Sequence, residues 1–515
     1  MRRNIQYLLG LLLWFPGNLI AQRVIYSESA GSRAATRLQV VGKSGSYYWV
    51  ENLQLLKSPN RGIRETRYEI QNFELFDARL ALVSEKFPIN VPGTLKQWLM
   101  AGENSLDQII AAGDGGQTKI ICNRYSADQN SNSTLIDSLP FFAEASSMLL
   151  VRSGDQSKIL LVAFENSDPA VTRIYALLFD SKWNRIYHEV IADKIFAQPC
   201  IQDEEIGFPA ESFDNLPIKL ADNGEWLMAS PSRTSRNFSI FHACPNGRDY
   251  YFREVALSPY YKMEDVAMSI DNVQQEMSIG LLSGYKSTSL KNVQVYNYSM
   301  KQGRFDFDTS FHFNTQSRDI KAKNLSHESF VAVPGGGYMF LKEYGLAYEF
   351  GKPDIPFIGS WESAYLLANY NETNSGGGTT KQGYTLNRGL SPIPYVRNRG
   401  DLNLFFFPGL RQDSTWSGVL DMEQHAETNN PDLSYLLVPS RSKLYIIYNS
   451  AEGYADPLAT TTTLNKGGQL LDDALVFWKM NKMLNFQRSH RFAEDEIAVP
   501  YMNSAKNGFA IIRLQ

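Results

Sequence analysis

Glu69-Ile70-Gln71-Asn72-Phe73-Glu74-Leu75-Phe76-Asp77-Ala78-Arg79-Leu80 and Arg173-Ile174-Tyr175-Ala176-Leu177-Leu178-Phe179-Asp180-Ser181-Lys182-Trp183 are two copies of one pattern. Each runs as a strand into Phe-Asp, passes two turn residues and reopens on a large apolar side chain. Looser copies are Val293-Gln294-Val295-Tyr296-Asn297-Tyr298 before Lys301-Gln302-Gly303, and Ala474-Leu475-Val476-Phe477-Trp478 before Asn481-Lys482. The anchors Phe76, Phe179, Tyr298 and Trp478 lie 103, 119 and 180 residues apart, and counting 352–400 as an insertion reduces the last interval to 131. Each interval then equals two units of about 50 to 65 residues, the size of a four-stranded propeller blade. Six unit intervals make seven units. The sequence therefore predicts an all-β chain folded as a single β-propeller of seven blades, within a range of six to eight, each of about four antiparallel strands. If 352–400 is itself a blade, the count becomes eight.

The rest of the chain fits this pattern. Helical periodicity over 12 or more residues is scarce, whereas apolar or alternating runs of four to eight residues bounded by Gly, Asn, Asp, Ser or Pro recur throughout. The clearest strands are Tyr47–Val50, Met148–Val151, Ile159–Phe164, Tyr338–Leu341 and Lys443–Tyr448. Ser153-Gly154-Asp155-Gln156-Ser157 separates two of them. In Ala221-Asp222-Asn223-Gly224-Glu225-Trp226, Asn-Gly offers the positive φ angles of a tight hairpin. The terminal strand Gly508-Phe509-Ala510-Ile511-Ile512-Arg513-Leu514 suits a last blade sealed by chain ends.

These residues resemble the large, divergent class of exported bacterial β-propeller proteins, many of them uncharacterised, in which strand, Phe-Asp turn and strand recur blade after blade. The resemblance covers most of the chain but carries no WD dipeptide, kelch double glycine or PQQ-type tryptophan motif. It implies a fold and an export class; a fold does not transmit a function.

The first 21 residues point to export. Met1-Arg2-Arg3-Asn4 is a short positive region, Tyr7 to Phe15 an apolar core, and Leu19-Ile20-Ala21 ends on a small residue, the pattern of a secretory signal peptide. The apolar run is shorter than the roughly 20 residues of a spanning helix. The predicted organisation is thus a signal peptide over 1–21 and a propeller over 22–515 with the long insertion at about 352–400, and no transmembrane segment. No cysteine precedes Cys122, so no lipid anchor is expected at the cleavage site. The expected location is the periplasm, with the cell surface or exterior as the alternative.

Removing Arg2 and Arg3 leaves 48 basic against 54 acidic residues, a formal charge of −6 with no long block of either sign. Nucleic acid is therefore not an expected partner, since phosphate binding concentrates bases on one face. Cys122, Cys200 and Cys244 allow at most one disulfide, and Cys200 with Cys244 is the favoured pair because both lie beside prolines.

Catalytic signatures are sparse. Ser417 lacks the first glycine of a nucleophile elbow. His188, His242, His312, His327, His425 and His490 are isolated, so neither a metal site nor a cofactor is expected. Ser153 to Ser157 is a poor copy of the sialidase aspartate box, which makes Asp155 a turn residue bonding its own backbone. Asp203-Glu204-Glu205, Asp472-Asp473 and Glu494-Asp495-Glu496 read as solvated turns, while Asp306 and Asp308 alternate on one strand face. The glycine runs 335–337 and 376–378 lack the Gly-Lys-Ser/Thr ending of a phosphate cradle and read as turns.

The 352–400 stretch, with Trp361, Tyr365, Tyr370 and Tyr384, departs from strand alternation and is the favoured binding element. The leading expectation is a non-enzymatic binding or scaffold protein of the bacterial cell envelope, engaging an exported or outer-membrane protein complex or a glycan through a propeller face. The rival is a glycan-active hydrolase or lyase with carboxylates gathered at the central depression.

Overall fold

A computed structural model of the chain describes residues 23–27, 36–56 and 67–193, apart from 128–130, 145–146 and 169–170. Between 218 and 513 it describes the strands and, of the connections, residues 221–225, 244, 245, 249, 272–275, 300–302, 337, 415 and 489. All regular elements among them are strands, apart from an isolated helical residue at Ser147.

Blade 1 is built from Thr36–Ser44, Tyr47–Leu56, Arg67–Phe76 and Leu82–Lys86. Blade 2 follows with Thr94–Ala101, Ser105–Asp114, Gln117–Ser126 and Ser131–Leu139. Blade 3 takes Met148–Arg152, Lys158–Asp168, Val171–Asp180 and Arg185–Asp193, and blade 4 takes Ile218–Leu220, Trp226–Pro231, Asn237–Ala243 and Tyr250–Ala256. Tyr261–Asp271, Glu276–Tyr285, Leu290–Ser299 and Arg304–Asn314 form blade 5. In blade 6, Leu325–Ala332, Tyr338–Glu349 and Tyr395–Phe407 are followed by a split outer strand, Trp416–Leu420 and Gln424–Glu427. Tyr435–Pro439, Lys443–Ala451, Pro457–Asn465 and Leu470–Phe477 make blade 7.

The closing sheet joins the two ends of the described chain. Met483–Leu484 and His490–Ala493 both pair with Glu496–Met502, which pairs with Asn507–Arg513, and Arg23–Tyr26 adds the outer strand. The described residues thus form a β-propeller of eight sheets, the upper end of the expected range. All partners within a sheet are antiparallel, and first strands of successive blades lie side by side, which makes the first strand innermost.

Alternation along each strand explains the core. In blade 3, Leu160, Val162, Phe164, Ile174, Ala176 and Leu178 pack against Trp226, Met228 and Phe241 of blade 4. The intervening Ile159, Leu161, Ala163, Tyr175, Leu177 and Phe179 pack against Ile109, Ile120 and Cys122 of blade 2. A central strand buried on both faces must be apolar at every position, hence the unbroken run Ile159–Phe164. Where blades meet most closely, bulk is excluded: a Cβ on Gly42 would stand 2.4 Å from the Ala101 Cβ on the next blade.

The repeated Phe-Asp is a third-to-fourth-strand turn. Asp77 Oδ1 accepts from the backbone N–H groups of Arg79 (2.8 Å) and Ala81 (2.9 Å); Asp180 Oδ1 accepts from Lys182 (2.8 Å) and Asn184 (2.9 Å). The following large residue sits in the left-handed region, Leu80 at φ 62° and Trp183 at φ 68°. This is a type I turn closed by a left-handed residue, and the acceptor side chain ties up the N–H groups a shorter hairpin would have paired. Gln156 (φ 62°) and Gly224 (φ 97°) repeat it between first and second strands. In Asn223-Gly224 only the glycine has positive φ, so that turn is not the two-residue hairpin its sequence suggested.

Candidate functional site

The two ends of the blades differ. First-to-second and third-to-fourth turns share one end, where no connection exceeds the eight residues of 408–415. Neighbouring blades are tied together there. Ser44 Oγ donates to the Ser105 carbonyl (2.9 Å), Asp155 N–H to Asp222 Oδ1 (3.0 Å), and Asp222 N–H to Asn272 Oδ1 (3.0 Å). Lys158 Nζ donates to the Asp222 carbonyl. Asp155 also accepts from Ser153 Oγ (2.7 Å) and Ser157 N–H (2.9 Å), the turn role expected of it.

The opposite end carries the long connections. Those at 57–66, 194–217, 315–324 and 350–394 all join second to third strands or one blade to the next. Glu349 pairs with Tyr395, so the 350–394 segment leaves and returns on adjacent strands of blade 6. The expected insertion is shortened at its end, since Tyr395 to Gly400 belong to a strand whose register continues to Phe407. Trp361, Tyr365, Tyr370 and Tyr384 lie outside the described residues, as do Asp203-Glu204-Glu205, Cys200 and the first 22 residues.

The innermost strands distribute charge unevenly, with Lys262 on blade 5 and Arg491 on the closing sheet standing apart from the pattern. Those of blades 1 to 4 carry Arg37, Lys43, Lys96, Arg152 and Lys219 and no acid. Acids enter only at blades 5 and 6, with Glu264, Asp265, Asp271 and Glu328. Lys96 Nζ donates to the Met148 carbonyl (3.0 Å) and Arg152 to the Ala101 carbonyl (2.8 Å), so these bases also bridge blades 2 and 3. Composition could not show this asymmetry; it emerges only once the first strand of each blade is known.

Several sequence candidates have structural roles. His242 is buried, its Nε2 3.1 Å from Glu225 Oε2 and its Nδ1 2.7 Å from the Tyr298 hydroxyl. Burial, then the charge of Glu225, pushes the Tyr298 phenol far above its ordinary range. Glu496 is not a solvated turn residue: it opens a strand, is buried, and pairs with Lys43 at 2.7 Å. Asp472-Asp473 likewise lies within the strand Leu470–Phe477, not in a turn. Gly337 has φ 116°, a conformation that favours glycine, while Gly335 and Gly336 lie outside the described residues. Cys122 is buried and Cys244 half-buried, and neither is bridged among the described residues; Cys200, the favoured partner of Cys244, lies outside them. Among the described residues no three His, Cys, Asp or Glu side chains gather as a metal site.

Sequence reasoning missed one polar cluster. On blade 1, Glu74 is 4% exposed and Asn72 8%, and Glu74 faces Glu85 across the third and fourth strands. Burial first, and Glu85 second, pushes the Glu74 carboxyl up to about 7. The signal was present as Asn72 and Glu74 on one face of a strand otherwise devoted to core, within the repeat that revealed the fold.

No protein-family model and no curated protein sequence matches the chain. Solved structures with a similar arrangement of strands include the β-propeller domain of the trilobed protease from Pyrococcus furiosus, at 9% identity over 84% of this chain and 94% of that one, TM-score 0.35. An ulvan lyase of a new polysaccharide lyase family matches at 8% identity over 95% and 94%, TM-score 0.34. The α-L-arabinofuranosidase from Fusarium graminearum matches at 9% identity over 72% and 94%, TM-score 0.30. Likenesses this distant carry no activity across to this chain.

Proposed function

We propose that this chain is an exported, non-enzymatic binding or scaffold protein of the bacterial cell envelope, which engages another exported protein or a glycan through one propeller face. The observation that carries this reading is the difference between the two ends of the blades. One rim is short and cross-bonded, while the other carries connections as long as 194–217 and 350–394. Long loops on a rigid frame are where recognition is built. Trp361, Tyr365, Tyr370 and Tyr384 in the second of these supply aromatic faces with polar tips, the chemistry of protein hot spots and of sugar stacking alike. Export rests on the signal-peptide pattern of residues 1–21, and the periplasm is the proposed location.

Affinity purification of the tagged protein from gently solubilised envelopes, followed by mass spectrometry, tests the reading. The comparison is a variant in which 354–391 is replaced by an Asn-Gly turn. A stoichiometric partner or bound glycan retained by the native protein and lost by the variant is the expected result. Recovery of the protein alone, together with cleavage of envelope polysaccharides, would replace this reading with a glycan-active enzyme. Its carboxylates would then be sought on the inner strands Tyr261–Asp271 and Leu325–Ala332.

A further inference from the structure

Blade 1 gathers four oxygen-bearing side chains on one sheet face. Its register places Asn52 opposite Asn72 and Glu74 opposite Glu85, and Asn72 and Glu74, two residues apart, share a sheet face. Val50, opposite Glu74, packs against Ile511 and Ala498, so this face is turned toward the closing sheet. Four adjacent side chains therefore present two carboxylates and two amides to the same gap between blades.

Their hydrogen bonding is incomplete. Asn52 Nδ2 lies 3.5 Å from Glu74 Oε1 and Asn72 Nδ2 donates to Glu85 Oε2 at 3.3 Å, which engages one N–H of each amide. The acceptors Asn52 Oδ1, Asn72 Oδ1 and Glu74 Oε2 are buried and have no hydrogen-bond partner. Among the described residues no base pairs with either carboxylate, whereas the buried acids Asp107 and Glu496 have Arg124 and Lys43. On blade 2 Gln108 Oε1 accepts from the Tyr125 hydroxyl (2.8 Å) and from Asn123 Nδ2 (3.2 Å), and there a single acceptor of the group, Asn123 Oδ1, has no partner, with no carboxylate beside it in the same state. Orphaned acceptors this close together call for a positive ligand, because a buried oxygen without a donor costs about 1–3 kcal/mol and an unpaired carboxylate more.

We infer that Asn52, Asn72, Glu74 and Glu85 form a binding site for a hard divalent cation, calcium, in the gap between blade 1 and the closing sheet. The donor set is all oxygen, two carboxylates and two amide carbonyls, which suits calcium, with its tolerance of irregular geometry and retained waters. No thiolate or imidazole enters it, so zinc and copper are disfavoured. Bound there, the ion would bridge the second, third and fourth strands of blade 1, beside the seam where the ring closes.

The test is calorimetric titration of the chelator-treated, full-length protein with calcium chloride, alongside thermal unfolding with and without the ion. One saturable site and a rise in unfolding temperature are expected. Glu85→Gln, on the exposed outer strand and thus safe for folding, should weaken binding at least tenfold, and Asn72→Asp should retain it. The inference is overturned if the native protein shows no saturable calcium binding at millimolar concentration. It is equally overturned if Glu85→Gln and Asn72→Leu bind within twofold of the native protein, or if the carboxylates take up a single shared proton and no calcium.

Discussion

The Tyr48 hydroxyl donates a 2.7 Å hydrogen bond to Glu496 across 448 residues of sequence, joining blade 1 to the closing sheet. The same carboxylate accepts from Lys43 at 2.7 Å and Arg513 at 3.3 Å. Burial alone would raise the Glu496 carboxyl, but the bonds from Lys43 and Tyr48 and the Lys43 charge bring it below its ordinary range. A carboxyl lowered in the folded state contributes stability above its unfolded value of about 4.3 and loses it as pH falls through the folded value. Glu496→Gln is therefore expected to destabilise the protein by about 1–3 kcal/mol at pH 7 and to flatten the acid limb below pH ~4.3. Urea unfolding across pH 3 to 7 measures both, and an unchanged acid limb in the variant would remove Glu496 as its source.

The Phe-Asp turns make a second expectation. Asp77 and Asp180 each satisfy two backbone N–H groups, so Asp180→Ala should cost about 1–2 kcal/mol, while Asp180→Asn, which keeps an acceptor, should cost less than half as much. Trp183 adds a second anchor, its indole N–H donating to Asp107 Oδ2 of blade 2 at 2.8 Å. Thermal melts of Asp180→Ala, Asp180→Asn and Trp183→Phe would rank these terms; equal losses in the two Asp180 variants would mean that the turn does not depend on the acceptor.

How far the fold could be read depended on where the signal repeats. Phe76, Phe179 and Tyr298 all lie in the last two residues of third strands, in blades 1, 3 and 5, so their spacing reported two blades at a time. Trp478 follows the fourth strand of blade 7, one strand out of step, yet still within the seventh unit. The eighth sheet has no internal copy of the pattern, because its outer strand Arg23–Tyr26 comes from the other end of the chain. Sites were less legible, since a site gathers residues that a linear pattern separates. The bases of blades 1 to 4 lie scattered from Arg37 to Lys219, and Glu496 reads as part of an acidic turn until Lys43 and Tyr48 are brought beside it.

The cysteines should differ in reactivity. Burial, and then the charge of Asp107, pushes the Cys122 thiol up to about 12, and the side chain is buried among Ile109, Ile120 and Leu161. Cys244 is partly exposed and its thiol is raised mainly by desolvation. The thiolate is the reactive form. Native protein at pH 8 should therefore be alkylated by iodoacetamide at Cys244 well before Cys122, with Cys122 modified only on unfolding. Peptide mapping over time reads the order directly, and early labelling of Cys122 would contradict its burial.

His242 uses both ring nitrogens, Nε2 toward Glu225 within blade 4 and Nδ1 toward Tyr298 of blade 5. In the neutral tautomer that donates from Nε2 to Glu225, Nδ1 accepts from the Tyr298 hydroxyl. The imidazole also stacks on Tyr251, with centroids 5.8 Å apart and planes at 13°. His242→Phe keeps an aromatic ring but strands the Glu225 carboxylate and the Tyr298 hydroxyl, at an expected cost of about 2–4 kcal/mol. Tyr298→Phe removes one hydroxyl and one bond, at about 1 kcal/mol. Adding Glu225→Gln to His242→Phe should recover part of the loss, because the charge left behind by the first substitution is then gone. Urea unfolding of the three variants decides the matter: if His242→Phe costs no more than Tyr298→Phe, the imidazole is packing alone and the polar link between the blades contributes nothing.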